Sequence, residues 1–268
     1  MAKRLTPRRD DVPIPERSAP PAPLAHRSSM SHALRLSLEP FLSWLFDTRC
    51  VACTRRQPHA LCDGCRASLG PPVDPRCVRC DHPLPRAGSP CPDCLRLGEP
   101  AFEKVVSAFL YRGVARSAVL ALKYEDGWRV AELLAAAMCE RVRAAAIGVD
   151  AVVPVPIDDA RRAARGYSPP ALLASRLASH LGVPRRAGLL RRRVQGVVQS
   201  TADVALRHVQ VSGIFEAAPG LEGQRLLLVD DVMTTAATLQ AAASALRRQG
   251  ARVWGAVAAR QILRGGRT

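Results

Sequence analysis

Apolar positions in the second half of the chain form two kinds of run. Short continuous runs are typical of strands buried on both faces of a sheet, and they span 105–111, 151–155, 226–229 and 253–259. Longer runs have the 3.6-residue period of helices, and they span 114–124, 128–146, 168–181 and 239–249. Strands that alternate with helices predict an α/β domain with a mostly parallel sheet, which we place at residues 102–263.

The first 49 residues have a different pattern. Residues 1–30 are rich in proline, arginine, serine and alanine and show no period, so we expect a disordered basic tail. Residues 31–49 carry large apolar side chains with helical spacing, interrupted at Pro40. This pattern predicts an amphipathic helical arm that packs on the domain that follows it in the sequence. A membrane anchor is the alternative, but no apolar run reaches the ~18 residues of a bilayer span. No signal-peptide-like apolar core is present, so we expect a cytoplasmic protein.

Eight of the nine cysteines fall between residues 50 and 94, and all eight belong to C-x-x-C pairs. The pairs are Cys50/Cys53, Cys62/Cys65, Cys77/Cys80 and Cys91/Cys94. Two thiolates separated by two residues can hold one metal ion from a tight knuckle, and two knuckles complete a tetrahedron. The spacing therefore predicts a double zinc ribbon at residues 50–96 with two closed, structural Zn²⁺ sites.

The sequence leaves two questions about this cysteine block open. Redox chemistry is an alternative to zinc, although it usually uses one C-x-x-C pair at a helix start rather than four in series. Consecutive pairs sharing one metal would close the shortest loops, but interleaved pairing is also possible. The ninth cysteine, Cys139, lies in an apolar stretch and is expected to be a buried small side chain. His59 and His82 are expected in solvent-exposed loops.

Residues 225–240 have the sequence RLLLVDDVMTTAATLQ, in which a buried strand ends at Asp230 and Asp231 and a small-residue turn leads into a helix. At the carboxyl edge of a parallel sheet, such a turn places backbone N–H groups around an anion. Two carboxylates beside it suit the vicinal hydroxyls of a ribose, directly or through Mg²⁺. A helix N-cap is the alternative, but it does not explain two consecutive acids. The pattern predicts a phosphoribosyl site, with phosphate contacts from Thr234, Thr235, Ala236, Ala237 and Thr238.

The stretch LVDDVMTTAAT resembles the phosphoribosyl-pyrophosphate (PRPP) signature of type I phosphoribosyltransferases. Its combination with a double zinc ribbon resembles the ComF family over roughly residues 35–262. Further matches are Leu122-Lys123-Tyr124, Pro154-Val155-Pro156, Arg161, Arg165-Gly166-Tyr167, Leu190-Arg191, Gln199, Arg207 and 211–215. The resemblance implies a type I phosphoribosyltransferase fold, PRPP and Mg²⁺ as ligands, and a link to DNA uptake and natural transformation.

The same resemblance implies roles for individual residues. Asp230 and Asp231 would contact the ribose hydroxyls and Mg²⁺, and Lys123, Arg161 and Arg165 would face the pyrophosphate. Each of these three cations is equally well explained as a solvated surface charge. Ala236 stands where the signature usually has glycine, which accepts a positive φ at no steric cost, so the alanine fits if its φ is negative. The family pattern also changes at Ser168-Pro169, Gly196 and Gln210.

Charge suggests a second kind of partner. The chain has 39 lysine and arginine residues against 23 acidic ones, a net charge of +16. Residues 161–193 contain nine arginines and no acid, a stripe that can follow a nucleic-acid backbone, and its candidate contacts are Arg185, Arg186, Arg191, Arg192 and Arg193. A solvated surface is the alternative. Two functions therefore remain open, a phosphoribosyltransferase of the glycosyltransferase class and a non-catalytic single-stranded DNA-binding competence factor with a relic PRPP site.

Overall fold

The computed structural model describes residues 48–124, 127–193 and 213–262. The tail and almost all of the arm predicted for residues 1–49 lie outside these ranges, as do the matches at Gly196, Gln199, Arg207 and Gln210. No helix in the described ranges combines the length and the apolar character that a membrane crossing requires.

The elements follow one another as α1 (Asp63–Ala67), α2 (Pro92–Leu97), β1 (Val105–Leu110), α3 (Gly113–Ala121), α4 (Gly127–Ala144), β2 (Ala151–Pro154), α5 (Asp159–Arg165), α6 (Pro169–Leu181), a 3-10 turn (Ala187–Leu189), β3 (Leu190–Arg192), β4 (Phe215–Ala217), β5 (Arg225–Met233), α7 (Ala237–Arg247) and β6 (Arg252–Arg260). The main sheet has the order β1-β6-β5-β2, and all its pairings are parallel. β3 and β4 form a separate antiparallel pair. The predicted α/β class with a mostly parallel sheet is confirmed.

Both faces of the main sheet are covered, which explains why its strands are continuous apolar runs. One face packs on α4 and α6, where Met138 and Leu173 are fully buried. The other face packs on α7 and the second half of the cysteine block, with Leu239 and Leu246 in the core. The carboxyl ends of four parallel strands consequently meet at one edge of the sheet.

The largest difference from the predicted elements is the length of β5. The strand was expected to end at Val229, but it continues through both aspartates to Met233, with Asp230 opposite Val257 and Met233 opposite Arg260 in β6. Ladder pairing with a long neighbouring strand outweighs the poor strand preference of aspartate. The short helix α5 and the pair β3–β4 were not predicted, because three-residue strands and a two-turn helix carry too little periodicity.

The two halves of the cysteine block repeat one local fold. Each first knuckle is closed by an isolated antiparallel bridge, Arg49 with Arg56 and Arg76 with Pro83. The residue after the second cysteine of each first knuckle is left-handed, with φ of 62° and 61°. The second knuckles lead into α1 and α2, whose first residues follow Cys62 and Cys91. The block is therefore two ribbons, which we call the first ribbon (residues 48–70) and the second ribbon (residues 75–98).

Candidate functional site

The eight paired cysteines form two four-sulfur clusters. The Sγ atoms of each cluster lie within 4.8 Å of one another, and the clusters are Cys50, Cys53, Cys62, Cys65 and Cys77, Cys80, Cys91, Cys94. Neighbouring sulfurs are 3.4 Å apart in the Cys80–Cys91 pair and 3.6 Å in the Cys53–Cys62 pair. A tetrahedral ion with Zn–S bonds of about 2.3 Å needs sulfurs roughly 3.8 Å apart. The clusters fit structural zinc with four cysteines each, and the consecutive pairing is confirmed.

The charges within the clusters also favour a cation. Burial alone would raise the pKa of Cys50, but backbone N–H groups of Cys53, Cys62 and Ala52 donate to its sulfur and lower the pKa to about 6. In the second cluster, burial raises the pKa of Cys94 to about 12, and the neighbouring Cys77 adds to the rise. Four thiolates at this separation repel one another, so a divalent ion is needed to hold them all ionised.

The two spare histidines have different environments. His59 is exposed, as expected. The expectation for His82 was wrong, because it is 8% exposed and its Nδ1 lies 2.9 Å from Oδ2 of Asp93. Asp93, inside the last knuckle, also receives hydrogen bonds from Arg96 and from the buried Arg260. The sequence analysis did not predict this cluster. Arg260, which directly follows the apolar run at 253–259, could have indicated a charged side chain at the end of a buried strand. Cys139 is buried as expected, and burial raises its pKa.

Asp230 and Asp231 lie on β5 at the carboxyl edge of the main sheet. Successive strand side chains point to opposite faces, so Asp231 shares the face of Leu227, which packs on α4 and α6, and Asp230 shares the α7 face. Lys123 reaches Asp231 from the loop between α3 and α4, with Nζ 3.2 Å from Oδ2. The structure thus brings together three of the predicted site residues.

Tyr167 holds the loop that carries Lys123. Its hydroxyl donates to the carbonyl of Leu122 at 2.7 Å and also lies against the carbonyl of Tyr124. A methyl group at Gly127 would lie 2.8 Å from the Leu122 carbonyl and closer still to the Tyr167 hydroxyl. The Arg-Gly-Tyr match therefore has a structural role, since its tyrosine fixes the residues on both sides of Lys123.

The environment of Asp230 disfavours its charged form. Burial, and then the neighbouring charge of Asp231, raise the pKa of Asp230 well above its usual value. Lys123 acts in the opposite direction but is salt-bridged to Asp231. An added cation or hydrogen-bond donor beside Asp230 would therefore favour its ionised form.

The turn between β5 and α7, which we call the phosphate loop (residues 234–238), has a left-handed alanine at its centre. Ala236 has φ of 62° and ψ of 1°, so the negative φ that would have accommodated alanine is not present. A left-handed conformation costs an L-residue about 1 kcal/mol or more. Ala236 is 3% exposed, whereas the side chains of Thr234, Thr235 and Thr238 are exposed. The threonines are accessible to a ligand, and the strain falls on the alanine.

The arginines divide into several groups. Arg162 and Arg191–Arg193 line a cleft of about 760 Å³ beside the loop that follows β2. Arg185 and Arg186 lie next to β2, where the N–H of Arg186 donates to the carbonyl of Val152.

The arginines predicted to face the pyrophosphate lie in or beside α5. Arg161 pairs with Asp158 at 3.1 Å, and Arg165 lies in the last turn of α5. Within the described ranges neither Arg161 nor Arg165 contacts Asp230 or Asp231, and sequence reasoning overlooked Arg162.

Two family models match the chain. The double zinc ribbon domain matches residues 41–95, and the phosphoribosyl transferase domain matches residues 171–262. Competence protein F of Haemophilus influenzae is 27% identical over 224 residues, which cover 78% of this chain and 96% of that protein. DNA utilization protein YhgH of Salmonella typhimurium is 28% identical over 186 residues, which cover 66% and 82%.

Among solved structures, the glutamine PRPP amidotransferase from B. subtilis complexed with ADP and GMP matches with a TM-score of 0.37 and 24% identity. The match covers 52% of this chain and 30% of that one. The order of the two matched domains agrees with the two cysteine clusters and the parallel sheet described above. A double zinc ribbon followed by a type I phosphoribosyltransferase domain is the architecture of the ComF family, and the chain belongs to this family.

Proposed function

We propose that this protein binds PRPP together with Mg²⁺ at the carboxyl edge of the main sheet. One observation carries the proposal. Two carboxylates, one of them salt-bridged to Lys123, lie on the strand that leads directly into the phosphate loop and the N-terminus of α7. This combination of anionic, cationic and N–H groups matches the hydroxyl, phosphate and metal groups of a phosphoribosyl ligand.

Each group of the ligand has a matching part of the site. The N–H groups of the phosphate loop, the α7 N-terminus and the hydroxyls of Thr234, Thr235 and Thr238 would hold the 5-phosphate. Asp230 and Asp231 would accept hydrogen bonds from the ribose hydroxyls and provide oxygen ligands for Mg²⁺. Lys123 would face the pyrophosphate once the ribose hydroxyls or Mg²⁺ replace it as the partner of Asp231. Arg161 and Arg165 remain candidates for the same pyrophosphate side.

If the bound PRPP is turned over, a nucleophile attacks the anomeric carbon of the ribose and pyrophosphate leaves. The positive charge that develops on the ribose would be stabilised by the carboxylates of Asp230 and Asp231. The phosphate loop would hold the other end of the ribose and fix its orientation. The residues of this site therefore suit positioning and charge stabilisation, as a phosphoribosyl transfer requires.

The process in which the site acts is part of the same proposal. The relatives are named for competence and for DNA utilization. We accordingly place this protein in DNA uptake and natural transformation. PRPP would serve there either as a substrate or as a regulator of DNA handling.

Isothermal calorimetry with PRPP and Mg²⁺ tests the ligand. We expect saturable binding to the wild type and at least about a tenfold loss of affinity in the Asp230→Asn/Asp231→Asn variant, because charged hydrogen bonds and metal contacts disappear. Asp150→Asn is a matched control. Asp150 pairs with Arg225 at the opposite end of β5, so its replacement should leave PRPP affinity unchanged. Absence of binding, or equal affinity in all three proteins, would refute the proposal.

A specific observation favours single-stranded DNA as a second ligand. Four arginines line the cleft beside the β2 loop, together with apolar side chains such as Ile157 and Ile214. Arg192, which lines the cleft, lies over the ring of the buried Phe215, with 5.7 Å from its guanidinium carbon to the ring centre. Asp158 and Asp159 also line the cleft, so its arginines exceed its acids by two. A groove with an excess of positive charge and apolar walls suits a single strand, whose phosphates and bases need both kinds of surface.

Fluorescence anisotropy with a labelled single strand tests this second ligand. Replacing Arg191, Arg192 and Arg193 by alanine should weaken binding and make it less dependent on salt. The slope of the logarithm of the affinity against the logarithm of the salt concentration should become shallower by roughly 0.7 for each phosphate that an arginine no longer neutralises. Replacing the exposed Arg112, Arg116 and Arg248 is the control for net charge, since it removes three positive charges elsewhere. Equal losses of affinity in the two triple variants would show that the cleft has no special role.

A further inference from the structure

Arg260, the last residue of β6, is fully buried between the main sheet and the second ribbon. Its Nη1 donates a hydrogen bond to the carbonyl oxygen of Cys80 at 2.7 Å, and its Nη2 donates to Oδ2 of Asp93. Asp93 lies between Cys91 and Cys94 in the sequence. Both partners therefore belong to the knuckles of the second zinc site, and one side chain joins the sheet to the loops that hold the metal.

The partners of Arg260 are few, and each is tied to the second ribbon. A carboxylate only accepts hydrogen bonds, so the 2.9 Å contact with Asp93 assigns the proton to Nδ1 of His82. The 3.4 Å approach of this nitrogen to Nη2 of Arg260 is then a contact between two donors and not a hydrogen bond. The buried Nε of Arg260 has no hydrogen-bond partner among the described residues. A buried charge held at its terminal nitrogens is strongly destabilised if the knuckles move away from it.

The backbone of Arg260 is connected to the phosphate loop. Arg260 lies opposite Met233 in the β5–β6 register, and the N–H of Gln261 donates to the carbonyl of Met233 at 2.9 Å. Met233 is the residue immediately before Thr234, where the loop begins. Arg260 therefore lies between the start of the phosphate loop and the second zinc site.

The far side of the loop is attached to the same ribbon. In the first turn of α7, Oε1 of Gln240 accepts a hydrogen bond from the N–H of Ala101 at 2.8 Å, and its Nε2 donates to the carbonyl of Glu99 at 3.1 Å. Both partners lie in the segment that leaves the second ribbon. The phosphate loop is thus supported at both of its ends by the part of the chain around the second zinc site.

The first ribbon contacts the sheet domain elsewhere. Arg129 of α4 donates to the carbonyls of Arg49, Pro58 and His59 at 3.4, 3.3 and 3.1 Å. Neither these residues nor α4 belongs to β5, β6 or the phosphate loop. The two zinc sites are consequently unequal in their relation to the loop, although their ligands are the same.

We propose that Arg260 is a positioning residue through which the zinc-bound second ribbon holds the phosphate loop in its ligand-binding shape, whereas the first zinc site leaves the loop unaffected. The inference deepens the proposed function, since it concerns the same loop. Removal of metal from the second site would loosen the loop and weaken its binding of phosphate, so the protein would respond to zinc loss at one site only.

Amide hydrogen exchange in the phosphate loop of the ligand-free, full-length protein tests the difference between the sites. Cys94→Ser and Cys65→Ser each remove the fourth thiol of one cluster, and zinc analysis by mass spectrometry should find one ion lost from each. We expect exchange at residues 234–239 to be at least about tenfold faster in Cys94→Ser and unchanged, within about twofold, in Cys65→Ser. Equal exchange in the two variants would overturn the inference.

Arg260→Met tests the connecting residue, with Arg129→Met as the matched control. We expect loop exchange at least about tenfold faster in Arg260→Met only, with slow exchange retained in α6. If Arg260→Met unfolds, stepwise removal of zinc from the wild type with a chelator decides the matter, because cysteine alkylation identifies the site emptied. Loop exchange should rise as the second site empties, and a rise with the first site would contradict the proposal.

These measurements separate this inference from the proposed function. Loop exchange is measured without PRPP, so failure of PRPP to bind the wild type would refute the ligand assignment and leave the exchange results standing. Conversely, PRPP binding with loop exchange that is indifferent to Arg260 and to the second zinc site would refute only the positioning role.

Discussion

The ammonium nitrogen of Lys123 lies 3.2 Å from the carboxylate of Asp231, although the two residues come from the loop after α3 and from the end of β5. Both side chains are mostly shielded from water, with 24% and 15% exposed. Shielding strengthens the interaction relative to a surface ion pair. The pair places one positive charge next to two negative ones at the proposed PRPP site.

Replacing Lys123 should therefore affect binding more than folding. In Lys123→Met, Asp231 loses its counter-charge and the pyrophosphate loses a cation, so we expect PRPP affinity to fall about tenfold or more. Lys123→Arg keeps the charge and should retain part of the affinity. Calorimetry on both variants measures the effect, and wild-type affinity in Lys123→Met would show that the lysine only balances Asp231.

The support of Lys123 by Tyr167 makes a prediction about stability. Gly127→Ala would insert a methyl group against the Tyr167 hydroxyl and the Leu122 carbonyl, and overpacking of this kind costs about 1–3 kcal/mol. Denaturant unfolding should show this loss. Gly148→Ala is a suitable control because its added methyl would meet only the flexible end of Arg225, at 3.4 Å. Equal unfolding free energies in the two variants would contradict the packing argument.

The left-handed Ala236 predicts opposite effects for two substitutions. Ala236→Gly removes the steric strain but adds chain entropy to the unfolded state, so its unfolding free energy should stay within about 1 kcal/mol of wild type. Its PRPP affinity should rise, because the backbone can approach phosphate more closely. Ala236→Val should lose both stability and affinity, since a β-branched side chain tolerates positive φ poorly. If Ala236→Val is as stable as the wild type, the left-handed backbone at residue 236 is not strained by a side chain.

The raised pKa of Asp230 predicts how the protein depends on pH. As pH rises from the unfolded pKa of Asp230 to its higher folded pKa, the unfolded state ionises first and this residue's contribution to stability declines. Asp230→Asn should therefore unfold at higher denaturant concentration than the wild type near neutral pH. Asp231→Asn is the comparison, because it leaves Lys123 without its partner. Lower stability in Asp230→Asn would show that ionisation of this carboxyl does not destabilise the folded protein.

The same shift predicts a proton linked to ligand binding. Mg²⁺ and PRPP favour the ionised form of Asp230, so binding should release protons and should weaken as pH falls through the folded pKa of this residue. Calorimetry in two buffers of different ionisation enthalpy counts the protons. The linked proton should disappear in Asp230→Asn, and its persistence there would assign it to another group.

Much of this architecture was predictable from local sequence. The eight C-x-x-C cysteines identify a metal-binding block because knuckle spacing is set by a few consecutive residues. The strands at 105–111 and 253–259 were found because continuous apolar runs mark elements buried on both faces. Helix α6 was placed to within a residue, since Ser168 caps it and Gly182 ends it in a left-handed conformation. Asp230 and Asp231 stood out because adjacent acids rarely end a buried strand.

What the tertiary structure decided concerns residues that are distant in sequence. Which cysteine pairs share a metal, and the meeting of Lys123 with Asp231, depend on how loops and sheet pack. No local pattern encodes that packing. The same reason explains why His82 was misplaced, since Arg260 and Asp93 create its buried environment. Ala236 illustrates the limit most clearly. The sequence identified the departure from glycine, but the φ of the alanine depends on the path of the chain between β5 and α7, which local sequence does not encode.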